Sequence, residues 1–391
     1  MHLPILTSSS HRPAASKPQP CIPTGKSAHR YRSTLLRLIA AECMTVLVLC
    51  FLVSGFFGTA LPLPASLSGE PVLPVQTDAA SPSNQKKYIK WVDFDVTNEA
   101  MEQALRFDVE SYGRTPHYDW IQLLAYLGAR YGGDFSRYRS KDLNSLIDKL
   151  SDGTSIDLLT ADMKYYPYYL EAYQAVLGGM VGPYQIQVSD KANPDGPPVW
   201  VAKYGLKAFS PIAKNYPYND FDDFGVARSY GFRRQHLGHD LMGQVGTPVI
   251  CVESGRVEAI GWNQYGGWRL GIRSFDNKRY YYYAHLRKNY PYHKSLKEGS
   301  IVQAGDVIGY LGRTGYSRTE NTNNIDDPHL HFGLQLIFDE SQKEGNNEIW
   351  ISCYELTKFL SQHRSETIKN QETKEYSRVY QIKDPAVPGG V

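Results

Sequence analysis

Asp327-Pro328-His329-Leu330-His331-Phe332 is the stretch whose reading decides the fold. In an extended strand alternate side chains share a face, so His329 and His331 point the same way. Upstream, His236-Leu237-Gly238-His239-Asp240 offers an imidazole and a carboxylate a few residues apart, a common way to hold two corners of a metal site. Two His and one carboxylate, with a fourth position left open to water, is how catalytic zinc is typically held. A third imidazole, His285, lies between the two clusters, at the end of the strand-like run Arg279-Tyr280-Tyr281-Tyr282-Tyr283-Ala284.

Around these clusters the chain breaks into short β-type runs punctuated by glycine. They are Thr247 to Val252, Arg256 to Ile260, Arg269 to Arg273, Tyr280 to Ala284, Ile308 to Leu311 and His329 to Leu336. Several short strands with turn signals predict an all-β sandwich or barrel-like domain, placed at residues 199–360. The turn-rich break Asn193-Pro194-Asp195-Gly196-Pro197-Pro198 reads as its entrance. Tyr354 to Gln362 reads as a short helix, and residues 361–391 as a C-terminal tail, polar, proline-bearing and loose from Lys369 on.

Ahead of the break the periodicity is helical. Trp120, Leu123, Leu124 and Leu127 keep the i, i+3, i+4, i+7 spacing, and Leu143, Leu146, Ile147 and Leu150 repeat it. Gly132-Gly133 ends the first of these helices, and Tyr169, Leu170, Tyr173, Val176 and Leu177 form a third face. Residues 90–182 therefore read as a small all-α domain of unknown role. The fold class expected for the whole is α+β multidomain, with an N-terminal membrane anchor, this helical domain and a C-terminal antiparallel-sheet domain.

The first residues set the topology. Residues 1–33 are rich in Ser, Pro and basic side chains and read as a disordered cytoplasmic tail. Cys43 to Leu61 is a run of 19 residues without a charge, close to the ~20 needed to cross a bilayer as a helix. Lys17, Lys26, Arg30, Arg32 and Arg37 precede it, so the positive-inside rule puts the N-terminus in the cytoplasm and the remainder outside. A cleaved signal peptide ending near Gly58-Thr59-Ala60 is the rival reading, disfavoured by the length of the segment before it. The anchor is placed at residues 34–61, and the Pro/Ser/Ala-rich residues 62–89 read as an extended linker. The expected localisation is the cell membrane, single-pass, with the C-terminal domain extracytoplasmic.

A net charge of +2 removes any electrostatic case for nucleic acid as a partner. Of the five cysteines only Cys251 and Cys353 fall outside the anchor and tail, which leaves either one pair or two buried thiols.

At the level of motifs the chain resembles the lysostaphin-type (LytM-type) zinc endopeptidases of bacterial cell walls. The resemblance covers about Ser210 to Phe338 and starts at His236-x-Gly238-x-Asp240, Gly246-Thr247-Pro248-Val249 and Gly255-Arg256-Val257. It runs on through Gly261-Trp262, Tyr265-Gly266-Gly267, Tyr283-Ala284-His285-Leu286 and Gly305-Asp306-Val307-Ile308-Gly309. Gly312-Arg313-Thr314-Gly315 and Pro328-His329-Leu330-His331-Phe332 complete it. The chain departs from the pattern between Gly315 and Pro328, where the connection is several residues longer than in compact members and would border the cleft.

The resemblance implies an antiparallel sheet forming a groove, with Zn2+ on its floor. It further implies that His236, Asp240 and His331 are the metal ligands, a site of net +1 before water binds, and that His285 and His329 are catalytic. One catalytic imidazole would accept the proton of the metal-bound water, and the other would stabilise the carbonyl oxygen or pass a proton to the leaving amine. Strand parity puts Tyr281 and Tyr283 on the face of His285, as groove-lining substrate contacts. His239, one residue before Asp240, faces away and is structural, and His117, His293 and His363 read as ordinary surface imidazoles. The implied function is a membrane-tethered zinc metalloendopeptidase hydrolysing peptide bonds of peptidoglycan, in the stem crosslink or the interpeptide bridge. The alternative is a catalytically silent wall scaffold or amidase regulator of the same fold. Such relatives have typically lost metal ligands, and this chain keeps every one.

Overall fold

Capping chemistry sets the helices where the periodicity places them. The computed structural model describes residues 88–193, 195–229, 233–345 and 347–389. Helices α1 (Asn98–Ser111), α2 (Trp120–Tyr131), α3 (Ser140–Ser151), α4 (Ile156–Thr160) and α5 (Tyr166–Leu177) follow one another. Asp119 caps α2 by accepting from the Gln122 amide at 2.9 Å, and Gly132 closes it with φ 68°, a left-handed position that glycine adopts without a Cβ penalty. Leu143, Leu146 and Leu150 are the buried stripe of α3.

The strands follow in order as β1 (Val181–Val188), β2 (Val199–Leu206), β3 (Ala227–Ser229), β4 (Arg233–Gln235), β5 (His239–Met242) and β6 (Pro248–Ile250). Next come β7 (Gly255–Asn263), β8 (Gly267–Ser274), β9 (Arg279–Ala284), β10 (Ile301–Val302), β11 (Val307–Tyr310) and β12 (His329–Leu336). The chain ends with β13 (Ile349–Ile351), α6 (Tyr354–Leu360), β14 (Thr367–Lys369), β15 (Tyr376–Arg378) and β16 (Ile382–Lys383). The main sheet is antiparallel in the order β10-β7-β8-β9-β12-β13, with β5 also paired to β12. Strand β12 is therefore central: β9 lies along one edge, while β5 and β13 share the other.

Helices and sheet share one hydrophobic core. Trp120 of α2 stacks on Phe359 of α6 with ring centroids 5.9 Å apart. Arg279, fully buried, makes the polar tie between the two parts. Its guanidinium pairs with Glu253 (Nε–Oε2, 2.7 Å) and donates to the Ala175 carbonyl in α5 at 2.7 Å. Gly179, just after α5, has no room for more than a hydrogen, because a Cβ there would lie 1.7 Å from Glu253 Oε1.

Two expectations about the ends of this region need correction. The Asn193-to-Pro198 break is not a domain entrance but the loop of the β1–β2 hairpin, whose strands pair from Val181↔Leu206 to Val188↔Val199. Residues 369–389 are not loose. Strand β15 pairs with β14, β16 joins β1, and Asp384 meets Lys207 in a buried ion pair of 2.6 Å. The polar composition that suggested a tail is satisfied by such pairings, which no local pattern reveals. Cys251 and Cys353 are two buried free thiols. The expected anchor at 34–61, with the tail and nearly all of the linker around it, lies outside the described residues. Among those described, no helix is long and apolar enough to cross a membrane.

Candidate metal centre and cleft

The pairing register makes the centre. In the β12–β5 ladder His331 stands directly opposite Asp240, and directly opposed side chains project side by side, with Cβ atoms about 4.5–5.5 Å apart. On the other edge of β12 His331 opposes Ala284, the residue before His285. His236 reaches the same point from the turn before β5. Core and cleft faces alternate along β12: Leu330, Phe332, Leu334 and Leu336 are buried in the core, while His331 and Gln335 line the cleft.

Three donor atoms converge. His236 Nε2 lies 3.1 Å from Asp240 Oδ1 and 3.0 Å from His331 Nδ1, and His331 Nδ1 lies 2.9 Å from Asp240 Oδ1. Protonation shows what this set lacks. His236 Nδ1 faces only acceptors, the Asp223 carbonyl at 3.3 Å and an Asp223 carboxylate oxygen at 3.0 Å, so it carries the ring proton. Its Nε2 lone pair then points at a carboxylate oxygen, an arrangement that needs a cation between them. Ligands about 2.0–2.1 Å from a tetrahedral zinc sit roughly 3.3 Å from one another, close to the separations here. The residues fit zinc.

Electrostatics favour the ligand form of Asp240 and of His331. Burial alone would raise the Asp240 carboxyl, but hydrogen bonds to His236 and His331 and the imidazoles around it outweigh that and hold it well below the usual carboxylate range. Burial keeps His331 neutral, against the opposing pull of Asp240. Asp240 Oδ2 is taken by Arg228 Nη1 at 2.8 Å, which leaves Oδ1 as the oxygen facing the other two donors. Arg228 also pairs with Asp223, so one guanidinium steadies the surroundings of two ligands.

The other two imidazoles are set for proton transfer. His285 Nδ1 lies 2.9 Å from the Thr314 carbonyl and His329 Nδ1 lies 2.7 Å from the Asp327 carbonyl. A carbonyl can only accept, so each Nδ1 carries a proton. The two rings approach each other with centroids 4.8 Å apart. Burial and the neighbouring imidazoles His329 and His331 hold His285 well below the ordinary histidine value, as a neutral base. Thr314 is itself fixed by its hydroxyl, which donates to the Leu286 carbonyl at 2.5 Å and accepts from the Trp268 amide at 3.1 Å. The long connection after Gly315 is tied back through Asn321, whose Oδ1 accepts from Trp268 Nε1 at 2.9 Å, and its Tyr316 lines the cleft.

The expected substrate contacts Tyr281 and Tyr283 do not line the cleft. Both are fully buried, packed against Phe332, with Tyr281 donating to Glu253 Oε2 at 2.6 Å. Tyr280 and Tyr282 take the cleft positions. Parity fails because β9 ends at Ala284, and His285, at φ 60°, is in the left-handed region. That single residue turns its side chain to the face opposite the one that alternation predicts. His239 does face away, 3.0 Å from Asp220 and edge-on to Tyr354. Arg228 and Asp223 belong to no motif, and nothing in the sequence marks them as part of the centre. A cleft of about 880 Å³ opens over it.

A mononuclear zinc site flanked by two imidazoles, each anchored through Nδ1 to a backbone carbonyl, is the equipment of a metallohydrolase. Residues 234–344 match the family model "Peptidase family M23", and this part of the chain is an M23 peptidase domain homologous to the lysostaphin-type peptidoglycan endopeptidases. Over 124 residues the chain is 42% identical to the L-Ala--D-Glu endopeptidase of Bacillus subtilis (strain 168), covering 32% of this chain and 36% of that protein. Over 98 residues it is 38% identical to lysostaphin of Staphylococcus staphylolyticus, covering 25% of this chain and 18% of that one. The chain thus spans well under half the length of these curated relatives. The solved catalytic domain of lysostaphin from Staphylococcus simulans matches at 32% identity, 33% of this chain, 84% of that chain and a TM-score of 0.26.

Proposed function

We propose that this chain is a zinc metalloendopeptidase that hydrolyses peptide bonds of bacterial peptidoglycan, held at the membrane by residues 34–61 with the catalytic domain on the outer side. The convergence of His236 Nε2, Asp240 Oδ1 and His331 Nδ1 within about 3 Å of one another, beside two imidazoles anchored through Nδ1, carries the catalytic part. The complete donor set argues against a silent scaffold of the same fold. The uncharged run from Cys43 to Leu61 and the basic residues ahead of it support the membrane part.

His236, Asp240 and His331 would hold the zinc, which when bound lowers the pKa of water to about 7 and polarises a peptide carbonyl. The chain's own residues do the rest. Asp240 keeps one oxygen toward the centre because Arg228 occupies the other. His285 and His329 flank the centre: Nε2 of one would take the proton of the attacking water and then pass that same proton to the leaving amine, while the other, where it carries a proton at Nε2, would hydrogen-bond the developing carbonyl oxyanion. Their Nδ1–H bonds to the Thr314 and Asp327 carbonyls fix the orientation of the rings.

The test is incubation of the zinc-loaded chain with purified peptidoglycans of different bridge chemistry, with and without a chelator, and mass analysis of the fragments. Chelator-sensitive release of peptide fragments is expected. Release of none, with zinc bound stoichiometrically, would defeat the hydrolase reading in favour of the scaffold.

A further inference from the structure

The cleft contains an arginine that makes no ion pair among the described residues. Arg234 lies on β4, two residues before the ligand His236, and lines the cleft over the metal centre. Its guanidinium sits over the Tyr316 ring, 4.7 Å from the centroid, and its Nε is buried without a hydrogen-bond partner. Among the described residues no carboxylate pairs with it.

Several other charges surround it. Arg228 is engaged by Asp240 and Asp223. Glu258, an acid on the cleft wall, is held by Arg273 at 2.9 Å and Lys343 at 2.5 Å. Arg269, also on the wall, makes no ion pair among the described residues. Glu344 and Glu348 also line the wall, Glu348 accepting from Trp350 Nε1 at 2.7 Å, and neither makes an ion pair with Arg234 or Arg269 among the described residues. A half-buried cation without a partner is costly, and it persists where a ligand supplies the counter-charge.

We propose that Arg234 is a specificity-determining residue that receives a substrate carboxylate, so that the cleft takes peptides bearing a free carboxylate near the scissile bond in preference to neutral glycine chains. The inference rests on the endopeptidase reading and names the substrate class of that same site. Arginine suits the task because its planar fork binds both carboxylate oxygens, and the Tyr316 ring below holds that plane in place.

Binding, measured apart from turnover, tests it. The zinc-loaded full chain carrying His285→Ala is titrated calorimetrically with L-Ala–γ-D-Glu–L-Lys amide. A matched peptide has the α-carboxylate of its Glu replaced by a carboxamide. The carboxylate peptide should bind at least about tenfold more tightly, the size of one charge-assisted contact. Arg234→Gln in the same background should erase the preference and keep the zinc, and Arg234→Lys should restore part of it. Should Arg234→Gln fail to fold, salt decides: raising KCl from about 0.05 to 0.5 M should weaken only the carboxylate peptide, because the cleft charge is then screened. Equal affinity for the two peptides, no measurable binding of either, a preference that survives Arg234→Gln, or indifference to salt overturns the inference. Failure of the parent chain to cleave any peptidoglycan while the preference persists would sink the hydrolase reading and leave this one standing. Cleavage without the preference would do the reverse.

Discussion

Gly238, between the ligands His236 and Asp240, provides a sharp test of how the centre is built. A methyl group at this position would lie 2.5 Å from both Cε1 and Nε2 of His331 and 3.0 Å from the Phe332 carbonyl oxygen. Comfortable non-bonded contact begins near 3.5 Å, so the imidazole would have to retreat by about 1 Å. It has no free direction, because its Nδ1 is held 2.9 Å from Asp240 and 3.0 Å from His236. Metal sites tolerate ligand displacements of only about 0.2 Å. Gly238→Ala should therefore weaken zinc binding by roughly 10–100-fold, the range seen when the support of a ligand is disturbed. The backbone is no obstacle, since Gly→Ala at an unstrained position tends to stabilise a fold by about 0.4–1 kcal/mol. The assay is competition for zinc against a chromogenic chelator, run beside far-UV circular dichroism to establish that the sheet is intact. Parental zinc affinity in a folded Gly238→Ala protein would refute the packing of His331 against the turn, and with it the assignment of His331 as a ligand.

Three further outcomes are expected. His285→Ala and His329→Ala should each retain about one zinc per chain while turnover falls by ~100-fold or more, the usual contribution of an acid–base group; zinc analysis beside initial rates checks this, and loss of zinc in the His329 variant with retention in His331→Ala would mean the two roles are exchanged. Arg279→Ala should destabilise the fold by about 3–5 kcal/mol, because it strands Glu253 as an unpaired buried charge and leaves the Ala175 carbonyl without its donor; urea unfolding measures it, and a change under about 1 kcal/mol would mean the helices do not depend on this tie. The metal-free chain should lose stability on acidification. Burial depresses the folded-state pKa of His285, His331 and His363 below the unfolded value near 6.5. Below pH ~6.5 the unfolded chain therefore binds more protons, and stability, complete above that pH, falls by up to about 1.4 kcal/mol per pH unit for each such His until its folded pKa is reached. Urea midpoints at about pH 7.5, 6.5 and 5.5 test the sign, and a flat or rising series would contradict it.

The sequence alone carried the β12 strand to its residue limits, the helical periodicities of α2 and α3, and the five imidazole and carboxylate positions that the structure gathers at one end of the sheet. These were legible because each depends on local rules: period-2 alternation, period-3.6 stripes, and motif residues a few positions apart. The features that the tertiary structure decided depend on contacts between distant segments. The side of β9 that meets the cleft turned on one left-handed residue, His285, whose conformation is held by the Gly266 carbonyl and by Thr314, nearly thirty residues away. Hydrophobic alternation could not choose between Tyr281–Tyr283 and Tyr280–Tyr282, since tyrosine suits a core and a wet cleft equally well. Arg228, Asp223 and Arg234 acquire their roles only through the groups they face or fail to face, and a charged side chain in a short hairpin otherwise looks like any solvated one. The strands after Lys369 are not legible locally because their pairing partners lie elsewhere in the chain or are joined by a few backbone hydrogen bonds. Hydrogen-bond geometry of that kind is settled by the fold rather than by residue type.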